Sequence, residues 1–426
     1  MTGFSGEEIL AEALLACSDR RYAVPGYPVN GIAERTGAEI VINEKVGVEY
    51  ALGDSISGRR AAVIMKNVGI NACADPLVQA VTQGLVKGVV ILAGDDIETL
   101  GSQNAQDSRY YGELAQVPVL EPGPETCFES VETAFEASEK FCRPAIIRLT
   151  PDLLFGRGVP DQVARVDGKG RLADTGLTMK GRAMEAEGFL PDMFQWSYES
   201  PLNRFSGGKV GVGAVQGDSR VVTVYPPAAS PDILADVCEL GRPFVREHRL
   251  LMPPDECEVP ERFESRGYYR TFCRECPYKL LFSLLKERKI RTIADAGCSI
   301  LTMNPPYRLS IASYGLGSAI GVAARSTGAA LIGDYAILHS GLPSLIDVYE
   351  KKLPLLCIVL VNRCMGMTGG QSSYDPCRYL EWTDPVMVEA DDKKRLEEYI
   401  RPATEPTTVL VSGVCPGERQ HETVAY

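Results

Sequence analysis

Leu355 to Val361 is an unbroken apolar run, and it ends in Asn362. A shorter apolar run before it closes on Gly333-Asp334, and the stretch between them, YAILHSGLPSLIDVYEKKLP, has helical spacing. An uninterrupted apolar run is what a strand covered on both faces looks like, so strand, helix, strand in this order predicts a parallel crossover. Parallel strands bring their carboxyl ends to one edge, and open sheets of this kind bind ligands there. Asp334 and Asn362 then stand at the ends of neighbouring strands. One carboxylate, one amide oxygen and the backbone carbonyl of Cys364 are hard donors that leave room for water and phosphate oxygens, a set suited to Mg²⁺ on a diphosphate. Gly333 and Tyr335 flank the aspartate and would touch the same group. The bare alternative is a parallel crossover whose strand ends happen to be polar.

The first third of the chain repeats the alternation. Residues 1–22 read as an amphipathic helix with Ile9, Leu10, Ala13, Leu14 and Cys17 on one face, leading to Tyr22-Ala23-Val24 and the turn Pro25-Gly26-Tyr27-Pro28. From Glu44 the order is a helix with Val46, Val48 and Ala51 inward, strand AAVIM, helix Ala74 to Thr82, strand GVVILAGDD, strand VPVLEP, helix Glu129 to Phe141 and strand PAIIRL. Strands separated by helices predict a doubly wound parallel sheet. The fold class is therefore α/β with two such sheets, in domains 1–155 and 269–426. Between them, at 156–268, the alternation weakens into a small intermediate domain or linker. GKVGVGAVQ and RVVTVYPP are expected strands there, and ASPDILADVCELG an expected helix.

Composition narrows the function classes. At 426 residues and 45% hydrophobic content the chain can bury two or three cores. A formal charge of −12 with both signs interspersed argues against nucleic acid or an anionic membrane as the main partner and favours a small-molecule enzyme. No apolar run approaches the roughly 20 residues that span a bilayer. The start MTGFSGEEIL has neither a basic nor an apolar leader region, so the expected location is cytoplasmic. Thirteen cysteines in that setting suggest reduced thiols, metal ligands or redox groups rather than a disulfide framework.

The GD…N pair, spaced by 28 residues, resembles the diphosphate signature of thiamine-diphosphate enzymes. The run GYPVN at Gly26, the segment NEKVGVEYALGDSISGRRAAVIMKNVGINACADPL, the stretch AGDDIETLGSQNAQDSRYYGELAQVPVLEP and RPAIIRLT are similar to indolepyruvate:ferredoxin oxidoreductase α subunits. The matches cover most of 1–150 and 269–375. This resemblance implies a pyrimidine-binding-type first domain and a diphosphate-binding-type last domain, with thiamine diphosphate and Mg²⁺ as cofactors. Glu44 would be the carboxylate that shares a proton with the cofactor's aminopyrimidine. Gly26, Tyr27, Pro28, Cys298 and Gly315 would line the cofactor cleft. Asn67 stands where the family has a histidine, and its neutral amide could bind a substrate carboxylate but cannot titrate near neutral pH. Arg109 could pair with a 2-oxoacid carboxylate, and His339, beside the GD motif, matches a family histidine in the active site. Cys273-x-x-Cys276 with Cys298 resembles part of a [4Fe–4S] ligand set, with Cys364, Cys377 or Cys415 open as the fourth. Family members read CPGCPHR where this chain has CRECPYK, so Tyr278 and Lys279 replace a His-Arg pair.

Family α subunits continue into a ferredoxin-like segment with cysteine-rich cluster motifs, whereas this sequence closes with PTTVLVSGVCPGERQHETVAY. The expected activity is oxidative decarboxylation of indolepyruvate or another aryl or bulky 2-oxoacid, with ferredoxin as electron acceptor and coenzyme A as acyl acceptor. The partners are then ferredoxin or a redox subunit, in a homodimer or heteromer whose interface lets the two thiamine domains face each other. Two alternatives stay open: a non-oxidative decarboxylase of the sulfopyruvate or phosphonopyruvate type, and a non-catalytic assembly subunit.

Overall fold

The structure, a computed structural model, describes residues 3–96, 99–103, 106–159, 163–202, 204–205, 220–221, 224–225, 257–416 and 421–426. It divides into two units, residues 1–172 with 183–259, and residues 173–182 with 260–426. The expected strand GKVGVGAVQ and helix ASPDILADVCELG lie outside the described residues, and of RVVTVYPP only 220–221 and 224–225 lie within them. No helix among the described residues is long and apolar enough to cross a membrane.

In the first unit, α1 (Gly6–Cys17) begins at a capping box, in which Ser5 accepts from the Glu8 amide and Glu8 reaches back to Ser5. It ends earlier than its apolar spacing suggests, because Arg20–Ala23 turns into the first strand, β1. The sheet continues with β2 (Glu39–Ile40), β3 (Ala61–Lys66), β4 (Val89–Gly94), β5 (Val119–Leu120), β6 (Ala145–Leu149) and β7 (Val224–Tyr225), in the spatial order β7-β5-β6-β4-β3-β1-β2. Every pairing is parallel except that of β7 with β5. The residues of β4 and β6 are buried throughout, as a sheet covered on both faces requires.

Buried arginines join the layers of this unit. Arg60, fully buried, donates to Glu132 and Glu139 of α2 (Cys127–Lys140) and lies over the Phe135 ring at 5.2 Å. Arg148 of β6, also fully buried, donates to Asp95 at 2.6 Å and Glu121 at 2.9 Å.

The second unit holds an all-parallel five-stranded sheet built from β9 (Ile293–Ala294), β10 (Ala329–Gly333), β11 (Leu355–Val361), β12 (Val386–Glu389) and β13 (Pro406–Ser412), in the order β9-β10-β11-β13-β12. Leu331, Leu356, Ile358, Val409 and Val411 fill its core. Outside this sheet, β8 (Tyr268–Cys273) pairs antiparallel with the final strand β14 (His421–Ala425), which brings His421 opposite Cys273.

Arg60→Met takes from two buried carboxylates the cation they share, leaving Glu139 only Lys87 at 3.9 Å, and the expected loss is about 3–5 kcal/mol of stability at neutral pH. Urea unfolding midpoints of both forms at neutral pH check the size.

Candidate functional site

Asp334 begins a helix straight after β10, and Asn362 follows β11, its parallel neighbour. The two meet through the backbone. Asp334 Oδ2 accepts from the amides of Asn362, at 3.1 Å, and Arg363, while its Oδ1 accepts from the Tyr335 amide at 2.7 Å. Burial pushes the Asp334 carboxyl above its ordinary value, and these amide donors oppose that rise. A buried carboxylate in this position gains from a nearby cation. Asn362 Oδ1 accepts from the Cys364 amide at 3.0 Å, and Nδ2 donates to Cys415 Sγ at 3.2 Å.

These groups border a cavity of about 320 Å³ that lies wholly within the second unit. Gly333, Asp334, Tyr335, Asn362 and Cys364 line one part of its wall. Cys273, Cys276, Cys298, Cys415 and His421 line another. Cys298 Sγ is 3.5 Å from His421 Nε2. Burial holds the Cys276 thiol up at about 11 and the Cys298 thiol at about 12, and the other cysteines of the wall raise both further. Among the described residues no group of three His, Cys, Asp or Glu is placed to hold a single metal ion. Cys377 is not on this wall, whereas Cys415 and Cys364 are.

Asp295, which follows β9, was not legible as a site residue. Its buried carboxylate accepts from the amides of Gly317, at 3.0 Å, and Ala319, at 3.3 Å, and so fixes the start of α3 (Ala319–Ala324). Gly315 and Gly317 both have positive φ, and it is Leu316 between them that reaches the cavity. Ser340 Oγ donates to the Leu316 carbonyl from a π-helical turn, Ile337–Gly341, inside the helix that Asp334 starts. Such turns often mark functional sites. His339 sits on that turn but is exposed and off the cavity wall, its ring 5.7 Å from that of Tyr335. Lys279 also points elsewhere, donating to the Arg274 carbonyl.

In the first unit, Glu44 is the opening residue of α4 (Glu44–Ile56), whose N-cap Asn43 accepts from the Val46 amide. Its half-buried carboxylate lies over Gly69, where a Cβ would stand 2.6 Å from Oε1. The Tyr27 ring covers Gly101 in the same way, and Gly26 abuts the Lys66 side chain. Two expected substrate residues are otherwise engaged. Arg109 is fully buried, with its guanidinium bound to Asp107 at 2.6 Å and Glu121 at 3.4 Å, so it is part of the framework and offers no free fork to a carboxylate. Asn67 is buried too, and its Oδ1 accepts from the next amide, Val68, at 2.8 Å. Asn104 lies outside the described residues.

Sequence and structure comparisons agree with this geometry. The thiamine pyrophosphate enzyme C-terminal TPP-binding domain matches residues 295–391, the segment from Asp295 through Asp334 and Asn362. The solved benzoylformate decarboxylase of Polynucleobacter necessarius superposes with a TM-score of 0.55 over 96% of this chain and 98% of its own, at 14% identity. A structure from Mycobacterium smegmatis, described as a thiamin diphosphate-dependent enzyme, gives 0.57 over 97% and 100% at 15% identity. The fold is that of thiamine-diphosphate enzymes, and the family match falls in the second unit. Within that class the chain is IorA-like. It is 28% identical to indolepyruvate oxidoreductase subunit IorA of Methanothermobacter thermautotrophicus over 81% of its own length and 71% of that protein's. IorA of Archaeoglobus fulgidus matches at 26%, over 86% and 75%.

Gly317→Ala puts a Cβ 2.4 Å from Ser340 Oγ and 2.7 Å from the Gly341 amide, at a φ of +83°. The expected cost is about 2 kcal/mol or more, read as a lower denaturant midpoint.

Proposed function

We propose that this protein is the thiamine-diphosphate-binding subunit of a 2-oxoacid:ferredoxin oxidoreductase, acting on indolepyruvate or another aryl or bulky 2-oxoacid with coenzyme A as acyl acceptor. The observation that carries the proposal is the cavity of the second unit, where the Asp334–Asn362 strand ends and the cysteine wall share one enclosure. A decarboxylase without redox chemistry has use for the first and none for the second.

Asp334, Asn362 and the Cys364 carbonyl would hold Mg²⁺ and, through it, the diphosphate, since their oxygen donors are of the kind this cation prefers. Glu44 would bind the aminopyrimidine and exchange a proton with its ring nitrogen through Oε1 or Oε2. Bound thiamine diphosphate supplies an acidic thiazolium carbon able to add to a 2-oxoacid carbonyl and to accept the electron pair that decarboxylation leaves behind. Cys273, Cys276 and Cys298 would ligate an iron–sulfur cluster for the two electrons that an oxidative outcome must export, with Cys415 as the fourth ligand. The choice of Cys415 rests on its place on the same wall and on the Asn362 amide bonded to its sulfur. Ferredoxin, or a partner subunit with its own centre, would receive the electrons. A pair of copies, or a heteromer, would set a first unit opposite a second.

Two experiments test this reading. Glu44→Gln should bind thiamine diphosphate nearly as well as the native protein, yet slow hydrogen–deuterium exchange at the thiazolium carbon by orders of magnitude, because an amide cannot share the proton. An unchanged exchange rate removes Glu44 from the chemistry. Protein purified without oxygen should be brown, with iron and sulfide in about equal amounts, and Cys415→Ser should lose the colour while keeping thiamine diphosphate affinity. A colourless, iron-free native protein that still releases CO₂ from a 2-oxoacid would leave the non-oxidative reading in place.

A further inference from the structure

Tyr278 stands directly before α5 (Lys279–Glu287). Its ring is 4% exposed and belongs to the core of the second unit, 6.3 Å from Phe282. Tyr278 lines the cavity, and among the described residues its buried hydroxyl has no hydrogen-bond partner. A buried phenol without a partner costs free energy comparable to a lost hydrogen bond, and tyrosine hydroxyls in cores nearly always find one.

The wall itself does not supply that partner. Cys276, Cys298 and Cys415 line the same cavity, yet none of their sulfurs receives the hydroxyl, and sulfur is in any case a weak acceptor. Asp334, the strong oxygen acceptor of the wall, already takes three backbone amides. Tyr278, Asp334 and Cys415 line the same cavity. A phenol hydroxyl carries a proton near neutral pH and can donate it to an acceptor. What suits such a donor is a hard anionic oxygen arriving with a ligand, held next to the carboxylate by a cation that offsets both negative charges.

We propose that Tyr278 is a cofactor-contacting residue whose hydroxyl donates a hydrogen bond to a diphosphate oxygen of the ligand that fills this cavity. The proposal rests on the thiamine diphosphate reading above and adds a contact to it. Because the hydroxyl has no protein partner to lose, Tyr278→Phe should fold normally. It keeps the ring that packs on Phe282 and removes only the donor.

The test is calorimetric titration of the intact native, Tyr278→Phe and Asp334→Ala proteins with Mg²⁺–thiamine diphosphate and, separately, with Mg²⁺–pyrophosphate. Tyr278→Phe should raise the Kd for both ligands by about tenfold or more, the size of a lost hydrogen bond to a charged acceptor, while the ligand-free unfolding midpoint stays level or rises. Asp334→Ala should lose both ligands. Equal affinities in native protein and Tyr278→Phe overturn the proposal and leave the cofactor reading standing. Weaker thiamine diphosphate binding with unchanged pyrophosphate binding overturns it as well, since the hydroxyl would then serve another part of the ligand. A fall in the ligand-free midpoint would mark the hydroxyl as structural and overturn it too. Failure of the native protein to bind either ligand takes down the cofactor reading and Tyr278 with it.

Discussion

The Asp334 carboxylate, shared among the amides of Tyr335, Asn362 and Arg363, is the interaction on which the second unit depends. It ties the carboxyl end of one parallel strand to the end of the next at the edge where such sheets bind ligands. Those amides partly offset the desolvation of the charge. What they leave uncompensated is an invitation to a cation. Asn362 extends the same device, since its side chain braces the Cys364 amide on one side and the Cys415 thiol on the other. A single hydrogen-bonded system thus joins the hard-donor corner of the cavity to its sulfur wall.

The rest of the unit keeps that corner in place. Asp295 does at the start of α3 what Asp334 does between strands, capping the amides of Gly317 and Ala319. Gly317 then lets the loop approach the π-helical turn that follows Asp334, closely enough that no side chain would fit. The final strand, β14, closes the opposite side by pairing with β8, and this brings His421 to Cys298. Residues from several separate stretches of chain therefore meet at one enclosure.

Much of this could be read from the residues. Apolar runs and helical spacing foretold both sheets, because a strand covered on both faces has few residue types to choose from. Asp334 and Asn362 were legible for the same reason, as polar residues that end such runs. Glu44 was singled out through resemblance, and the structure places it at a helix start. Side chains whose role depends on partners far away in sequence were not. Arg109 looked like a loop arginine free to meet a substrate, but Asp107 and Glu121 bury and neutralise it. Cys415 and His421 lie more than a hundred residues from the CxxC turn, and only the pairing of β14 with β8 brings His421 to it. Tyr278 read merely as a departure from the CPGCPHR pattern. Its unpartnered hydroxyl became visible once the fold had enclosed it.

The most direct measurement is a calorimetric titration of the stripped, intact protein with thiamine diphosphate, run once in Mg²⁺ and once in excess chelator. A diphosphate held chiefly through a metal on Asp334 and Asn362 predicts saturable binding in Mg²⁺ that vanishes with the chelator. Equal affinity under both conditions, or no binding in Mg²⁺, would contradict the account.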